Sequence, residues 1–233
     1  MTDKATYYLT SNAAGTAFTG TGYTPDGTIP AGAIPCTQEQ AQNFQAYVPS
    51  NGEIVSAPSA VLLAQAQTAQ KALVTQGYNK ATDYVPVTIN GTTYQVDNTA
   101  GKQALNLSLA ITANAMMQAP AWAASTEYTA GAYCSVNGVI LFCSASGKSG
   151  TSAPTPPTTF GTPVTDGTAE WELLGRKVYL QGDSFVYITP QQIMSAFQQG
   201  ELYLHQMGNQ LEILIAQINA AQTSGAVAAI VWP

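Results

Sequence analysis

The residues able to do chemistry are few and scattered. The chain carries one histidine, His205, and three cysteines, Cys36, Cys134 and Cys143. A Ser-His-Asp or Cys-His nucleophile would have to recruit His205. That residue falls off the apolar stripe of a helical segment, the usual place of a solvated histidine. A Cys/His metal site is equally short of ligands. Glu170 and Glu172 flank Trp171, with Asp166 close by. On a strand the two glutamates share a face and could serve glycoside hydrolysis. Acidic residues beside a strand are more often simply solvated. Ser146-Gly147-Lys148-Ser149-Gly150 has the look of a phosphate loop but lacks the leading glycine and a following helix, so it reads as a turn. The expectation is a chain without catalytic residues, metal or cofactor.

A binding chemistry is better supplied. Trp122, Tyr128, Tyr133, Phe142 and Trp171 cluster within residues 122–171. Sugars present apolar C–H faces that stack on aromatic rings, and Tyr and Trp add a polar handle. The type I′ turn signal Asn137-Gly138 pairs Val136 with Val139, Cys134 with Leu141 and Tyr133 with Phe142. Cys143 then faces Ala132, and a Cys134–Cys143 disulfide would need a bulge. Trp122 and Trp171 serve equally well as the core of so small a module.

The run Trp122, Tyr128, Gly131, Tyr133, Asn137-Gly138, Phe142-Cys143, Ser149-Gly150, Pro154, Thr165-Asp166-Gly167 and Trp171 resembles a known module. It is the small three-stranded β-module of the chitin- and cellulose-binding type, families 5 and 12 of the carbohydrate-binding modules, with related repeats in phage tail fibres. Two departures stand out. Ala132 occupies a position often acidic in such modules, and a long Ser/Thr/Pro loop spans 149–163. The resemblance implies glycan contact by one or more of the five aromatics.

The elements that position these residues follow from local signals. Residues 1–35 are rich in Thr, Gly and Ala, with recurring Tyr7, Tyr8, Phe18 and Tyr23. They read as an extended arm with one hairpin, ordered against neighbours, or as a disordered tail. Thr37-Gln38-Glu39-Gln40 is a capping box opening a helix to about Tyr47, and Pro49-Ser50-Asn51-Gly52 is a turn. An Ala/Leu/Gln helix from Ser59 should stop at Gly77. Residues 84–96 form a hairpin around Asn90-Gly91, pairing Val85 with Val96 and Val87 with Tyr94. A helix over 98–117 should bury Leu105, Leu109, Ala113 and Met116. A strand is expected at 177–180. Thr189-Pro190-Gln191-Gln192 opens a helix running to about Gln222. Ile193, Phe197, Gly200, Leu204, Met207, Leu211, Leu214, Ile218 and Ala221 recur along it at heptad spacing. This stripe reads either as a homo-oligomer contact, a trimer among the options, or as an ordinary core-facing helix. The fold class is α+β, a hairpin-and-helix scaffold with a long C-terminal helix, interrupted by a small all-β module. The domain boundaries are an arm at 1–35, a scaffold of 36–118 with 175–233, and an inserted module at 119–174.

Composition narrows the function. Charged residues are 9% of the 233, and net charge is −6. Counterion release needs basic groups, so nucleic-acid binding is not expected. No run approaches the roughly 20 apolar residues of a membrane span, and residues 1–10 lack a secretory signal. A polar, weakly ionic surface suits obligate assembly. The order of elements adds a second resemblance. Residues 82–96 followed by the strand at Lys177 and the Thr189 helix look like a domain of unknown function in tailed-phage tail proteins. Ile34-Pro35 through Leu73 is similar in layout to the tail-fibre assembly family. These likenesses imply a structural or adhesive component of a phage tail, in fibre, collar or baseplate. It would fold in the host cytoplasm, dock to other tail proteins and meet a host surface glycan. The alternatives are a tail-fibre assembly chaperone and, behind it, a glycan hydrolase.

Overall fold

The computed structural model of the chain describes residues 6–233. The fold is α+β, with a long C-terminal helix and small antiparallel sheets. Two compact units are present, one running to residue 74 and including 213–233, the other covering 75–212. This division differs from the boundaries expected at 35, 118 and 174. Both unit boundaries fall inside helices, where composition does not change.

In the first unit, β1 (Thr6–Ser11) pairs with β2 (Phe18–Thr24) and, on its other edge, with β3 (Ile34–Cys36). From residue 6 onward the stretch holds the one expected hairpin, β1 with β2, and a third strand, β3. β1 has both of its edges hydrogen-bonded within the chain, so its polar backbone needs no neighbour. Leu9 and Phe18 are buried, and Tyr7 meets Tyr23 across the hairpin with ring centroids 5.2 Å apart. Residues 1–5 of the expected arm lie outside the described residues. The Thr37 capping box forms and opens α1 (Gln38–Gln42). That helix is shorter than expected, giving way to a 3-10 turn at Phe44–Ala46. β4 (Tyr47–Ser50) and β5 (Glu53–Ser56) follow as a hairpin, with Asn51 and Gly52 both at positive φ.

The helix α2 (Ser59–Thr82) passes through Gly77 rather than stopping there. Its end is set by distant donors. The Ala81 carbonyl accepts from the Tyr203 hydroxyl at 3.1 Å, and the Thr82 carbonyl from Asn98 Nδ2 at 3.1 Å. These satisfy carbonyls that a glycine cap would otherwise serve. The hairpin of β6 (Tyr84–Ile89) and β7 (Thr92–Asp97) has the expected register, Val85 to Val96 and Val87 to Tyr94. In α3 (Ala100–Met116) the buried residues are Ala110 and Ala113. Leu105, expected inside, is exposed. One turn back from Ala110 lies Asn106, and its Nδ2 donates to the Asp97 carbonyl at 2.9 Å.

The central β-module is larger than a three-stranded one. It contains β8 (Glu127–Tyr128), β9 (Tyr133–Val136), β10 (Val139–Ala145), β11 (Gly147–Lys148), β12 (Val164–Asp166) and β13 (Ala169–Leu173). Four of these form a sheet in the order β12-β13-β10-β9, while β8 pairs with β11. The segment read as a turn at 146–150 therefore supplies a short strand. Cys134 faces Leu141, and the Cys143 N–H donates to the Ala132 carbonyl, as the turn register requires. Both thiols are free and fully buried. Beyond the module, β14 (Arg176–Tyr179) pairs with β15 (Phe185–Ile188), a partner the sequence reading lacked.

The long helix α4 (Pro190–Ala220) opens on a formed capping box between Thr189 and Gln192, and α5 (Ser224–Ala228) follows it. Gln199 braces the edge of β6, accepting from the Thr88 N–H at 2.8 Å and donating to the Thr88 carbonyl at 3.1 Å. Val85, Val87, Ile89, Ala113, Val178, Ile188 and Ile193 form the core there, with Leu204 packed against it. Farther along the stripe Leu214 and Ile218 are buried, whereas Phe197, Met207 and Leu211 are half-buried. Ile193, Leu204, Leu214 and Ile218 thus face the chain's own interior.

An aromatic cleft as the candidate functional site

The five aromatics of the β-module separate into two sets. Alternation along each strand puts successive side chains on opposite faces of the sheet. The inner face holds Cys134, Val136, Leu141, Cys143, Ala169 and Trp171, with Trp122 and Tyr128 packed against them. The outer face holds Tyr133, Phe142 and Glu172, which lie side by side in register.

Three of the five candidates belong to the inner set. Trp171 is fully buried. It offers no ring face to a ligand and takes the core role that its sequence left open, not that of a glycan-binding candidate. Its indole N–H donates to Asp166 Oδ2 at 3.1 Å, and the half-buried Trp122 indole donates to the same oxygen at 2.7 Å. Asp166 Oδ1 accepts from the Gly150 N–H at 2.7 Å. A single buried carboxylate thus ties two tryptophans to a loop. Gly167, at φ +64°, holds this corner; a Cβ there would sit 2.2 Å from the Lys148 carbonyl oxygen. Tyr128 meets Trp171 edge-on at 4.7 Å, and its hydroxyl accepts from the Ala123 N–H at 2.9 Å. These rings are committed to the fold. Burial also pushes the Cys134 thiol up to about 12, with Asp166 and then Cys143 adding to the effect.

The outer set opens on solvent. Tyr133 and Phe142, with centroids 5.9 Å apart, line a cleft of about 490 Å³. Phe160, Glu172, Arg176 and Tyr187 line it as well. Phe160 comes from the long loop, with its ring 6.2 Å from that of Tyr187. It seats against bare backbone, since a Cβ on Gly175 would fall 2.6 Å from the ring. Tyr187 and Phe185 pack edge-on at 5.7 Å and are each about half exposed. Lys177 stands over the Phe185 ring at 3.9 Å and the Tyr179 ring at 4.8 Å, and Lys102 over Tyr179 at 3.9 Å. Such contacts hold ammonium groups beside the rings.

The cleft therefore joins partly exposed rings to polar groups. Sequence reasoning found Tyr133 and Phe142 from the module pattern. It missed Phe160, because no local rule places a loop ring. Tyr187 and Phe185 escaped it because β15 was not recognised as a strand. The alternation of Phe185, Tyr187 against Val186, Ile188 was the available signal.

Other candidates fall elsewhere. A hollow of about 460 Å³ lies among β6, β7, α3 and α4, lined by core residues such as Val85, Leu109 and Ile188. Phe197 and Leu204 of the heptad stripe border it. Its one acidic lining residue is Glu201. His205 is exposed and hydrogen-bonds Asn209 one turn away. Among the described residues no group of three His, Cys, Asp or Glu is placed to hold a metal ion, and no helix is long and apolar enough to cross a membrane. No family model, curated protein or solved structure matches the chain.

Proposed function

We propose that the chain is a structural and adhesive component of a tailed-phage particle, and that the aromatic cleft is its glycan-binding surface. The observation that carries the adhesive reading is the run of half-exposed Tyr187 and Phe185 with half-buried Phe160, beside Tyr133 and Phe142, with Glu172 and Arg176 in the same cleft. Rings stack on sugar C–H faces, while the charged groups meet hydroxyls. Glu172 is the one acidic residue lining the cleft. Glycoside hydrolysis ordinarily uses two carboxyl groups flanking the scissile bond, so this arrangement favours binding over cleavage. The phage setting rests on the likeness in element order and on the weakly ionic surface.

Glycan-array binding by the full chain tests the cleft. Tyr187→Ala should weaken binding about tenfold, the scale of a lost stacking contact with its excluded area. The unfolding midpoint should hardly move, because that ring is half exposed. Binding that survives Tyr187→Ala, Phe160→Ala and Phe142→Ala alike would remove the cleft as the site. Mass spectrometry of purified particles tests the particle role. Absence of the chain there would favour an assembly chaperone.

A further inference from the structure

Resting on the glycan reading of the cleft, we infer that it selects sugars bearing a carboxylate, with Arg176 as the group that reads the acid. Arg176 is the only arginine in the chain. It lines the cleft and is half-buried. A guanidinium carries five N–H donors and cannot lose its charge. Among the described residues its side chain makes one polar contact, a long one of 4.0 Å to the Met116 sulfur, and no ion pair. A half-buried fork of donors without an oxygen acceptor is matched by a ligand that brings one. Planar carboxylates fit that fork in bidentate fashion.

Charge placement around β14 points the same way. Lys177 follows Arg176 in sequence, and Lys102 stands over the neighbouring Tyr179 ring. Three of the chain's seven basic residues thus gather at one short strand of a protein with net charge −6. The ammonium groups of Lys102 and Lys177 rest over aromatic rings. Glu172 lines the cleft as well, and Glu170 shares its face of β13. Their charge disfavours an acid group at the β13 wall. The ligand is therefore oriented, with hydroxyls donating to Glu172 and its carboxylate toward Arg176. Uronic and sialic acids have this combination of apolar ring face, hydroxyls and carboxylate.

Two matched pairs of probes test the inference on the full chain by titration calorimetry. One is tetragalacturonate against its methyl ester; the other is sialyllactose against lactose. The acid member of at least one pair should bind tenfold or more tightly than its neutral counterpart. Arg176→Gln should bring the two within about twofold, chiefly by weakening the acid member. Arg176→Lys should keep only part of the preference, because the fork is lost. Circular dichroism and the urea midpoint report whether each variant is folded. Equal affinity for acid and neutral members in the wild-type chain overturns the inference. If that equal binding is lost in Tyr187→Ala, the glycan reading survives alone. Failure of all four probes to bind overturns both.

Discussion

The two faces of the β-module use the same residue types for opposite ends. On the inner face Trp122, Tyr128 and Trp171 are packed together, and every polar atom of theirs named above has a partner. On the outer side Tyr133, Phe142, Phe160, Phe185 and Tyr187 are half-buried or exposed, and Arg176 and Glu172 lie among them with no ion pair to any described residue. An aromatic ring gains most from burial, so a small module spends its tryptophans on its own core. What remains for a ligand are rings that later or looser elements bring to the surface. Aromatic content alone does not separate core rings from surface rings; burial and the partners of the nearby polar groups do.

That contrast can be broken by substitution. The largest effect belongs to Trp171→Ala, which leaves a cavity at the module's centre and should cost roughly 3–5 kcal/mol. Urea unfolding would measure it, and any loss of binding in that variant would report unfolding, not a lost contact. Next is Asp166→Ala. It strips acceptors from two indole N–H groups and the Gly150 N–H, and should cost about 3 kcal/mol on the same assay. Loss below about 1 kcal/mol would show that the carboxylate is not the tie described. Outside the core, Gly175→Ala should force the Phe160 ring from its seat. A few-fold weaker glycan binding is expected, with stability changed by less than about 1 kcal/mol. The same affinity in Gly175→Ala and wild type would remove Phe160 from the site.

The subtlest test concerns the buried thiols. A raised folded value means that the unfolded chain gives up its proton first. The Cys134 contribution is therefore complete below about pH 9 and is lost as pH rises toward about 12. Replacing Cys134 with Ala should flatten the fall of the urea midpoint above pH 9. In the native protein at pH 8, a thiol reagent should label Cys36, which is half-buried, before Cys134 and Cys143. Equal labelling of all three would mean that the module's interior opens readily.

Much of the local structure was legible before any coordinates. The capping boxes at Thr37 and Thr189 form as their spacing requires. The turn at Asn51-Gly52 and the hairpins at Asn90-Gly91 and Asn137-Gly138 form with both residues at positive φ. Where reading failed, a distant group decided. Gly77 did not end α2, because Tyr203 and Asn98 supply its cap farther on. Leu105 did not reach the core, because α3 turns Ala110 and Ala113 inward, with Asn106 on that side bonded to the Asp97 carbonyl. The unit boundaries were invisible because they lie within uniform helices.

The candidate site divides along the same line. By itself the sequence determined the hairpin register that sets Tyr133 beside Phe142, since a two-residue turn and strict alternation leave little choice. It also determined that Cys134 and Cys143 would not sit opposite each other. Tertiary structure alone decided that Trp171 is core and that Phe160 and Tyr187 complete the cleft. Those outcomes depend on which surfaces meet across dozens of residues. No local rule encodes whether a ring finds a neighbour or is left facing water.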